Sequence, residues 1–280
     1  MEKLLIVDGT NLLFQMFFGM PSKIVNKDGK PIHGLLGFIG AFIKIIKITS
    51  PTHIVILFDG EHENSRTELL ADYKANRMDY TTVPEENNPF SQLKDIYDAL
   101  DFLAVKHTEI TELEADDVIS SYALKYGKDM EIIISSFDSD FFQLINERVS
   151  ILRYRGSNTI LCETAYIQDK YGILPYQYAD FKALTGDASD NIKGAEKIGP
   201  KTAAALMNQF GNLHEIIINA DKISKPSIQE SILRNTDRLH NNYKLIKLDD
   251  KATIPFDISE LIYSYSGITT NEILTGINLK

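Results

Sequence analysis

The amino-acid sequence predicts an α/β protein with a mainly parallel central sheet flanked by helices, followed by a helical C-terminal part. Three continuous apolar runs, rich in β-branched residues as doubly buried strands are, end in aspartate. They are LLIVD at 4–8, HIVILFD at 53–59 and EIIISSFDSD at 131–140. Helical patterns lie between or beside these runs at 35–48, 90–103 and 115–126. Strands that alternate with helices indicate a parallel sheet with right-handed crossovers.

The domain organisation follows from where these patterns stop. In 115–126, apolar side chains recur every three or four positions and form one stripe along a helix. From Glu163 onward the pattern is helical and poor in strands. We therefore expect an α/β core at 1–162 and a helical part at 163–280. The polar segment at 61–89 fits neither pattern and is long for a connection, as functional or mobile segments are.

Length and composition predict a globular protein without disulfides. The chain has 280 residues, of which 44% are hydrophobic, so it can bury a substantial core. Cys162 is its one cysteine, and nothing indicates an oxidising compartment. Asp8 interrupts the N-terminal apolar run, which argues against a signal peptide. The apolar window at 35–48 is too short and too polar to span a membrane, so the sequence predicts a soluble, cytoplasmic protein.

Carboxylates gather where the predicted strands end. Asp8, Asp59, Asp138 and Asp140 all fall at the carboxyl edge of the sheet, where open α/β sheets bind ligands. A DG pair is also an ordinary turn signal, so a single such aspartate is weak evidence. Asp138 and Asp140 are two positions apart and would point to the same side of an extended chain. Four acids at one edge favour a binding site over a set of turns.

Two further acidic stretches have ordinary structural explanations when taken alone. Glu114, Asp116 and Asp117 begin a predicted helix, where acids complement the helix dipole. In TGDASDN, Asp187 and Asp190 are three positions apart, and a solvated turn would explain their residue types. On a helical turn their like charges would repel each other.

Together the chain brings nine carboxylates from separate elements, and gathering them without cations would cost several kcal/mol. Divalent ions such as Mg²⁺, which take a few carboxylates plus substrate phosphates, would offset that cost. Two such ions about 4 Å apart can activate water and stabilise the leaving oxygen in phosphodiester hydrolysis. No zinc spacing, Walker A loop or GxGxxG motif is present. Without these nine acids the formal charge of -10 would be -1, so basic patches can exist elsewhere.

The stretch GAEKIGPKTAAALMNQFG at 194–211 resembles a helix-hairpin-helix module. Pro200 suits the first turn of a helix, and Ala204, Met207 and Phe210 could supply its core face. In such modules the backbone N–H groups of the hairpin and nearby lysines bind phosphates without reading bases. A plain helix start is the alternative.

In order along residues 4–250, the chain resembles the 5′ nuclease family: the 5′→3′ exonuclease domain of bacterial DNA polymerase I and its free-standing relatives, the flap endonucleases. The motifs that carry the resemblance are LLIVDGTNLLF, ILFDG, SRTELLADYKANR, ELEADDVISSYA, SSFDSDFFQL and ALTGDASDNIKGAEKIGPKTA. The resemblance implies a PIN-like fold with a helix-hairpin-helix at about 185–211. It also implies a metal-dependent 5′→3′ exonuclease and 5′ flap endonuclease for primer removal and repair. Its partner would be DNA with 5′ flaps or 5′ ends, including RNA-primed ends, bound by a monomer.

The resemblance also implies a role for each site residue. Two Mg²⁺ ions, replaceable by Mn²⁺, would bind at two sites, with a K⁺ at the hairpin. The first site matches Asp8, Asp59, Glu114, Asp116 and Asp117. The second site matches Asp138, Asp140, Asp187 and Asp190. The positions in the 163–280 part that match DNA-binding residues are Lys193, Lys197, Gly199, Lys201 and Thr202.

The segment at about 61–89 matches the family's helical arch, through which a single-stranded 5′ end passes. Arg66 and Lys74 match its catalytic positions, with Lys74 placed to neutralise charge on the scissile phosphate. Tyr73 and Arg77 match positions that contact the substrate. Interleaved tyrosine and basic residues suit a single strand, although a solvated loop is the alternative.

Two departures from the family pattern concern phosphate contacts. Lys197 stands where relatives usually have the first glycine of Gly-Ile-Gly, and it would be strained if that position needs a positive φ. Gln15 stands where relatives commonly have arginine, so either one phosphate contact is weakened or Gln15 packs in the protein. No metal-ligand position is missing.

Two rival functions stay open on the sequence. A non-catalytic binder of branched DNA would not need the acids, and a PIN-like ribonuclease would not need the lysine-rich hairpin or the long arch segment. No polymerase sequence follows residue 280, which fits both a free-standing protein and a fragment of a longer one.

Overall fold

The computed structural model describes residues 2–60, 66, 69–70, 72–75 and 78–279. The strands are β1 Lys3–Asp8, β2 His53–Asp59, β3 Lys106–Ile110, β4 Glu131–Ser135, β5 Val149–Arg153, β6 Ile160–Cys162, β7 Gly186–Asp187 and β8 Ile192–Lys193. Within the described residues, the first six form one sheet in the spatial order β3-β2-β1-β4-β5-β6. All neighbours in it are parallel except β6, which runs antiparallel to β5. The predicted mainly parallel sheet is confirmed.

Helices cover both faces of this sheet and make up most of the C-terminal part. They are α1 Gly9–Gly19, α2 His33–Thr49, α3 Leu93–Phe102, α4 Ala115–Tyr126, α5 Thr164–Tyr171, α6 Tyr178–Thr185, α7 Pro200–Phe210, α8 Leu213–Ile218, α9 Pro226–Arg234, α10 Thr236–Ile246 and α11 Thr270–Gly276. Side chains of β1 alternate between two apolar clusters: Leu4 and Ile6 pack with α4, and Leu5 and Val7 pack with α2. The central strands are therefore buried on both faces, as their sequences predict.

The third predicted strand is shorter than expected. β4 ends at Ser135, and a 3₁₀ turn begins at Asp140. The amide of Asp138 donates to Ser136 Oγ at 2.9 Å, and the amide of Asp140 donates to Asp138 Oδ1 at 2.8 Å. Such local side-chain acceptors bend a chain out of the extended form. The expectation that Asp138 and Asp140 share one side of a strand is therefore wrong.

The apolar core crosses the predicted boundary between residues 162 and 163. One cluster contains Ile6 of the sheet together with Phe181 of α6 and Leu245 of α10. The boundary stays a prediction about sequence segments, since the two parts share this core. Among the described residues, no helix combines the length and the apolar character that crossing a membrane requires.

The C-terminal segment returns to the sheet at the end of β2 that lies opposite its aspartate. Strand β3 pairs with β2 only from Val55 onward. Beyond that point the chain around Ile262 takes over: Ile54 N donates to Leu261 O at 2.9 Å, and Tyr263 N donates to Thr52 O at 2.8 Å. The C-terminal segment therefore continues the pairing of β2 where β3 is too short.

The segment at 61–89 is described only in part. Its described residues contain 3₁₀ turns, at Tyr80–Thr82 and Glu85–Asn87 and from Pro89, and no α-helix. Arg77 lies outside the described residues. The helical arch there stays a prediction.

Candidate metal-binding active site

The first acid of the site, Asp8, is placed by the junction of β1 and α1. As N-cap of α1 it accepts a hydrogen bond from Asn11 N at 3.0 Å on Oδ1. Its Oδ2 accepts another from Ser136 Oγ at 2.7 Å. Since Ser136 follows β4, the neighbouring strand, these bonds fix the Asp8 carboxylate at the carboxyl edge of the sheet.

Asp59 brings the start of α4 to the same edge. Its Oδ1 accepts a hydrogen bond from Ala115 N, the first residue of α4, at 2.8 Å. The main chain of Asp59 is held in turn, because its N–H donates to Thr10 Oγ1 at 2.8 Å. The acids in the first turn of α4 therefore lie beside those of β1 and β2.

These acids raise one another's affinity for protons. Burial, with repulsion from Asp59 and Asp138, raises the pKa of Asp8 to about 7. Burial and the charges of Asp138 and Asp59 raise the pKa of Asp116 well above its ordinary range. Asp8, Asp59, Asp116 and Asp138 thus form one electrostatic group. Asp138 belongs to this group as well as facing Asp140, although the resemblance assigned it to the second site.

Two basic residues of the partly described segment cover the remaining acids of α4. Arg66 Nη1 contacts Glu114 Oε2, and Arg66 Nη2 lies 2.9 Å from Asp117 Oδ1. Lys74 Nζ lies 2.8 Å from Glu114 Oε1. We call Asp8, Asp59, Asp116 and Asp138, together with the neighbouring Glu114 and Asp117, the first acidic group. Both residues that match catalytic positions therefore lie against this group. Tyr73 beside them is 6% exposed, so its ring is not offered to solvent, and its contact with the substrate stays a prediction.

A second acidic group lies at the start of the hairpin. Asp140, Asp187 and Asp190 each have a carboxylate oxygen within 4.8 Å of those of the other two. Lys182 of α6 contacts Asp187 Oδ2, and its ammonium lies 3.6 Å from Asp140 Oδ1. Sequence reasoning missed Lys182; its position five residues before Asp187, in the last turn of a helix, was the available signal.

Two acids of the second group, Asp187 and Asp140, have pKa values shifted in opposite directions. Burial opposes ionisation of Asp187, but hydrogen bonds from Lys182 and Ser189 outweigh it and lower the pKa. Burial and repulsion from Asp138 raise the pKa of Asp140 to about 7. Asp140 Oδ1 is buried and accepts no hydrogen bond from the described residues, although the Lys182 ammonium lies 3.6 Å away. Lys182 therefore favours the ionised form of Asp187 more than that of Asp140.

The two groups fit hard divalent ions. Their donors are carboxylate oxygens, the ligands that Mg²⁺ takes, and the second group already has the spacing of a binding site. Burial and neighbouring acids raise the pKa values of Asp8 and Asp140, and a divalent ion bound beside them would favour their ionised forms. Either observation alone would fit a solvated acidic patch, but burial excludes that explanation for Asp8 and Asp187, which are 6% and 9% exposed.

We expect the stabilisation by Mg²⁺ to increase with pH. The folded-state pKa values of Asp8 and Asp140, about 7, exceed the ordinary aspartate value of 3.8. The metal-free protein therefore loses stability as the pH rises from the ordinary value to about 7. A divalent ion would offset that loss. Thermal unfolding with Mg²⁺ and with chelator should show a gain in Tm at pH 8 that exceeds the gain at pH 5.5 by about 3 °C or more. Equal gains at both pH values would contradict this expectation.

The hairpin of the C-terminal part begins where the second acidic group ends. β7, which contains Asp187, pairs antiparallel with β8, and Gly194 follows β8. A Cβ atom on Gly194 would lie 2.4 Å from the carbonyl carbon of Thr185, so the two arms of the hairpin are in close backbone contact. The positions matched to DNA binding are exposed at Lys193, Lys197, Gly199 and Lys201 and half-buried at Thr202. Pro200 begins α7 as predicted.

Lys197 has a φ of +64°, which lies in the left-handed region where lysine is strained and glycine is not. Lys197→Gly should therefore raise the free energy of unfolding by about 1 kcal/mol. It should also weaken DNA binding and lower the slope of log K against log salt by about 0.9, since one phosphate contact is lost. Chemical denaturation and binding titrations in Ca²⁺ measure the two effects separately.

The matched control is Lys201→Ala, which removes the same charge from a helical position. It should weaken DNA binding and give no gain in stability. A Lys197→Gly variant no more stable than the wild type would show that the backbone at residue 197 is not strained.

Gln15 makes an internal contact. Its Nε2 donates to Tyr154 O at 2.6 Å, linking α1 to the chain after β5. This favours packing in the protein over a missing phosphate contact. An arginine at position 15 would have to give up this hydrogen bond or reproduce it with a larger group.

Comparison with known proteins agrees with this geometry. Two family models match the chain in succession: the N-terminal resolvase-like domain of 5′-3′ exonuclease over residues 3–172, and the C-terminal SAM fold of 5′-3′ exonuclease over residues 173–267. The second match agrees with the helical fold of the C-terminal part.

Individual relatives agree with the family models. The 5′-3′ exonuclease of Buchnera aphidicola is 34% identical over 264 residues, which cover 91% of this chain and 88% of the relative. The thermostable DNA polymerase I of Thermus aquaticus is 33% identical over 257 residues, which cover 91% of this chain and 29% of the relative. The chain thus spans under a third of the length of such polymerases.

Among solved structures, the flap endonuclease of bacteriophage T5, in a pseudo-enzyme-product complex with DNA and metal ions, has a TM-score of 0.71 and 26% identity. The match covers 88% of this chain and 89% of that one. Family models, relatives and fold thus agree over most of the sequence, and the chain belongs to the 5′-3′ exonuclease family.

Proposed function

We propose that this protein is a metal-dependent, structure-specific 5′ nuclease. It would hydrolyse DNA phosphodiester bonds as a 5′→3′ exonuclease and 5′ flap endonuclease, in primer removal and repair. The observation that carries the proposal is the second acidic group, in which Asp140, Asp187 and Asp190 have metal-site spacing directly before an exposed lysine-bearing hairpin. Cleavage of a DNA backbone requires metal ligands beside an element that binds phosphates.

Two Mg²⁺ ions, replaceable by Mn²⁺, would be held by the acids of the two groups. Asp8, Asp59, Glu114, Asp116 and Asp117 are proposed for the first site, and Asp138, Asp140, Asp187 and Asp190 for the second. When bound, such ions activate water and stabilise the charge that develops on a phosphodiester during hydrolysis. The burial of Asp8, Glu114, Asp117, Asp187 and Asp190 and the all-oxygen donor set of the two groups support the assignment.

The chain's own basic residues would act on the DNA. Lys74 and Arg66 lie within reach of the first acidic group, and we assign them to the scissile phosphate, whose charge they would stabilise. Arg77 and Tyr73 would contact the single strand. Lys193, Lys197, Lys201 and the main chain at Gly199 and Thr202 would hold duplex phosphates, with a K⁺ at the hairpin.

The substrate would be DNA with a 5′ flap or 5′ end, including RNA-primed ends, bound by a monomer in the cytoplasm. The DNA in the related T5 complex supports the substrate class. Single-strand passage would use the segment at 61–89.

Cleavage of a labelled 5′ flap duplex tests this function against its rivals. We expect cutting near the junction in Mg²⁺ and none after chelation. Binding without cutting in Mg²⁺ or Mn²⁺ would indicate a non-catalytic branched-DNA binder. Preferential cutting of single-stranded RNA, with the flap left intact, would indicate a ribonuclease.

A further inference from the structure

A row of polar side chains on α9, on α10 and on the residue that joins them faces the hairpin. These side chains recur at helical spacing, so they lie along one face of the two consecutive helices. We call them the polar stripe: Ser231, Asn235, Arg238 and Asn242. Three members, Ser231, Asn235 and Asn242, are 6%, 3% and 4% exposed. Polar groups buried to this extent need hydrogen-bond partners, and theirs are in the hairpin.

The polar stripe binds three main-chain carbonyls of the hairpin arm. Asn242 Nδ2 donates to Lys193 O at 2.8 Å. Arg238 Nη1 donates to Gly194 O at 3.1 Å. Ser231 Oγ donates to Glu196 O at 2.5 Å. The arm leading to the left-handed Lys197 is therefore held from outside the hairpin.

The side chain of Glu196 is held by the same stripe. Asn235 Nδ2 donates to Glu196 Oε2 at 2.6 Å, and Arg238 Nη1 donates to Oε1 at 3.2 Å. Glu196 is 54% exposed and lies between Lys193 and Lys197, where a negative charge opposes phosphate binding. An acid at such a place needs another role, and its two hydrogen bonds to the polar stripe supply one.

The same arm is fixed to the second acidic group. In the short ladder of β7 and β8, Asp187 pairs with Ile192 and Gly186 with Lys193. Asn242 Nδ2 also donates to Ala183 O at 3.0 Å, so one side chain holds both α6 and the hairpin arm. The distance between the proposed metal ligands and the phosphate-binding hairpin is thus set by a continuous network.

We propose that the polar stripe sets the register between DNA held by the hairpin and the metal-binding acids, and thereby selects the phosphodiester that is cut. The inference rests on the proposed function. Its members are positioning residues, since they act through the hairpin and the acidic loop rather than on the reacting atoms. Small displacements matter here, because misplacing reacting groups by about 1 Å can cost 10²-fold in rate.

The test maps the cut on a 5′ flap duplex labelled at the 3′ end of the cleaved strand, so that product length reports the cleavage position. In Asn235→Ala and Glu196→Ala, the ratio of the main product to products one nucleotide away should fall about 10-fold, as loss of a charge-assisted hydrogen bond predicts. KM should rise more than kcat falls. If Glu196 acted only through its negative charge, the Glu196→Ala variant would instead bind DNA more tightly and cleave it at an unchanged position.

Arg234→Ala is the matched control. Arg234 lies on α9 and pairs with exposed Glu230, outside the polar stripe, so its loss removes a cation without releasing the hairpin. The cleavage position should stay unchanged in this variant. Arg238→Lys should keep the cleavage position more uniform than Arg238→Ala does. Thermal unfolding will identify variants with lowered stability.

Two outcomes are distinguishable. If the wild type cuts but folded Asn235→Ala and Glu196→Ala cut at the same single position with unchanged KM, the polar stripe does not set the register. Because Glu196 is exposed, its variant keeps this test decisive even if Asn235→Ala unfolds. If the wild type cuts no flap at all, the proposed function fails instead.

Discussion

Asp187→Ala is expected to lower the single-turnover rate of flap cleavage by about 10³-fold or more while DNA binding stays measurable. Asp187 belongs to the three-carboxylate group, and its pKa is held low, so it is available as an anion. Its loss also removes one of the two acids that Lys182 contacts, and the ammonium then faces Asp140 alone of that pair. Rapid-quench measurements at saturating Mg²⁺ give the rate, and titration in Ca²⁺ gives the binding.

The matched control for this prediction is Asp221→Ala, which removes an exposed acid from the 3₁₀ turn Ala220–Lys222. Its rate should equal that of the wild type. Wild-type turnover by Asp187→Ala would remove the residue from the metal site and, with it, the main support for the second ion.

Lys74→Ala should lower the single-turnover rate by about 10²-fold or more, as loss of one preorganised charge does in other active sites. Lys74→Arg should restore only part of the rate, because a planar guanidinium cannot place its charge where the ammonium was. The Lys74 side chain is 15% exposed and already directed at the first acidic group, 2.8 Å from Glu114. A residue held there needs little rearrangement to reach a phosphate bound at the same acids.

Lys94→Ala provides the comparison, since Lys94 is 81% exposed and pairs with Asp98 one helical turn away, far from the acidic groups in sequence. The same loss of charge at that position should leave the rate unchanged. If Lys74→Ala cleaves as fast as the wild type with chemistry limiting, the assignment of Lys74 to the scissile phosphate is wrong.

The sequence predicts the fold well where burial determines it. β1 and β2 are apolar on both faces, so their positions follow from residue type, and the aspartates that end them locate the site. β3 is not predicted in this way, because its sequence KHTEI, at the edge of the sheet, is polar and half exposed. Its pairing with β2 depends on the neighbouring strand rather than on its own apolar content.

The sequence points to the acids of the candidate site and, through the family resemblance, to Lys74 and Arg66, but not to the acids with which these cations pair. Asp138 and Asp140 lie beside the other acids of the candidate site, while the turn between them depends on Ser136, which the strand pattern does not reveal. Lys182 contacts Asp187 five residues further along the chain, from the last turn of α6, so the signal for this pair is local. The pairing of Arg66 with Asp117 joins distant parts of the chain and could not be read from either motif alone.

The pairing of Tyr263 with Thr52 has a consequence for how the chain acquires its structure. Two backbone partners about two hundred positions apart raise the mean contact order, and a higher contact order slows folding. During synthesis the N-terminal end of β2 would stay uncovered until the segment around Ile262 has emerged. Exposed strand ends of this kind pair readily with other chains. A nascent or truncated chain that lacks the segment around Ile262 should therefore aggregate more readily than a chain that contains it, even though every acid of the site is already present.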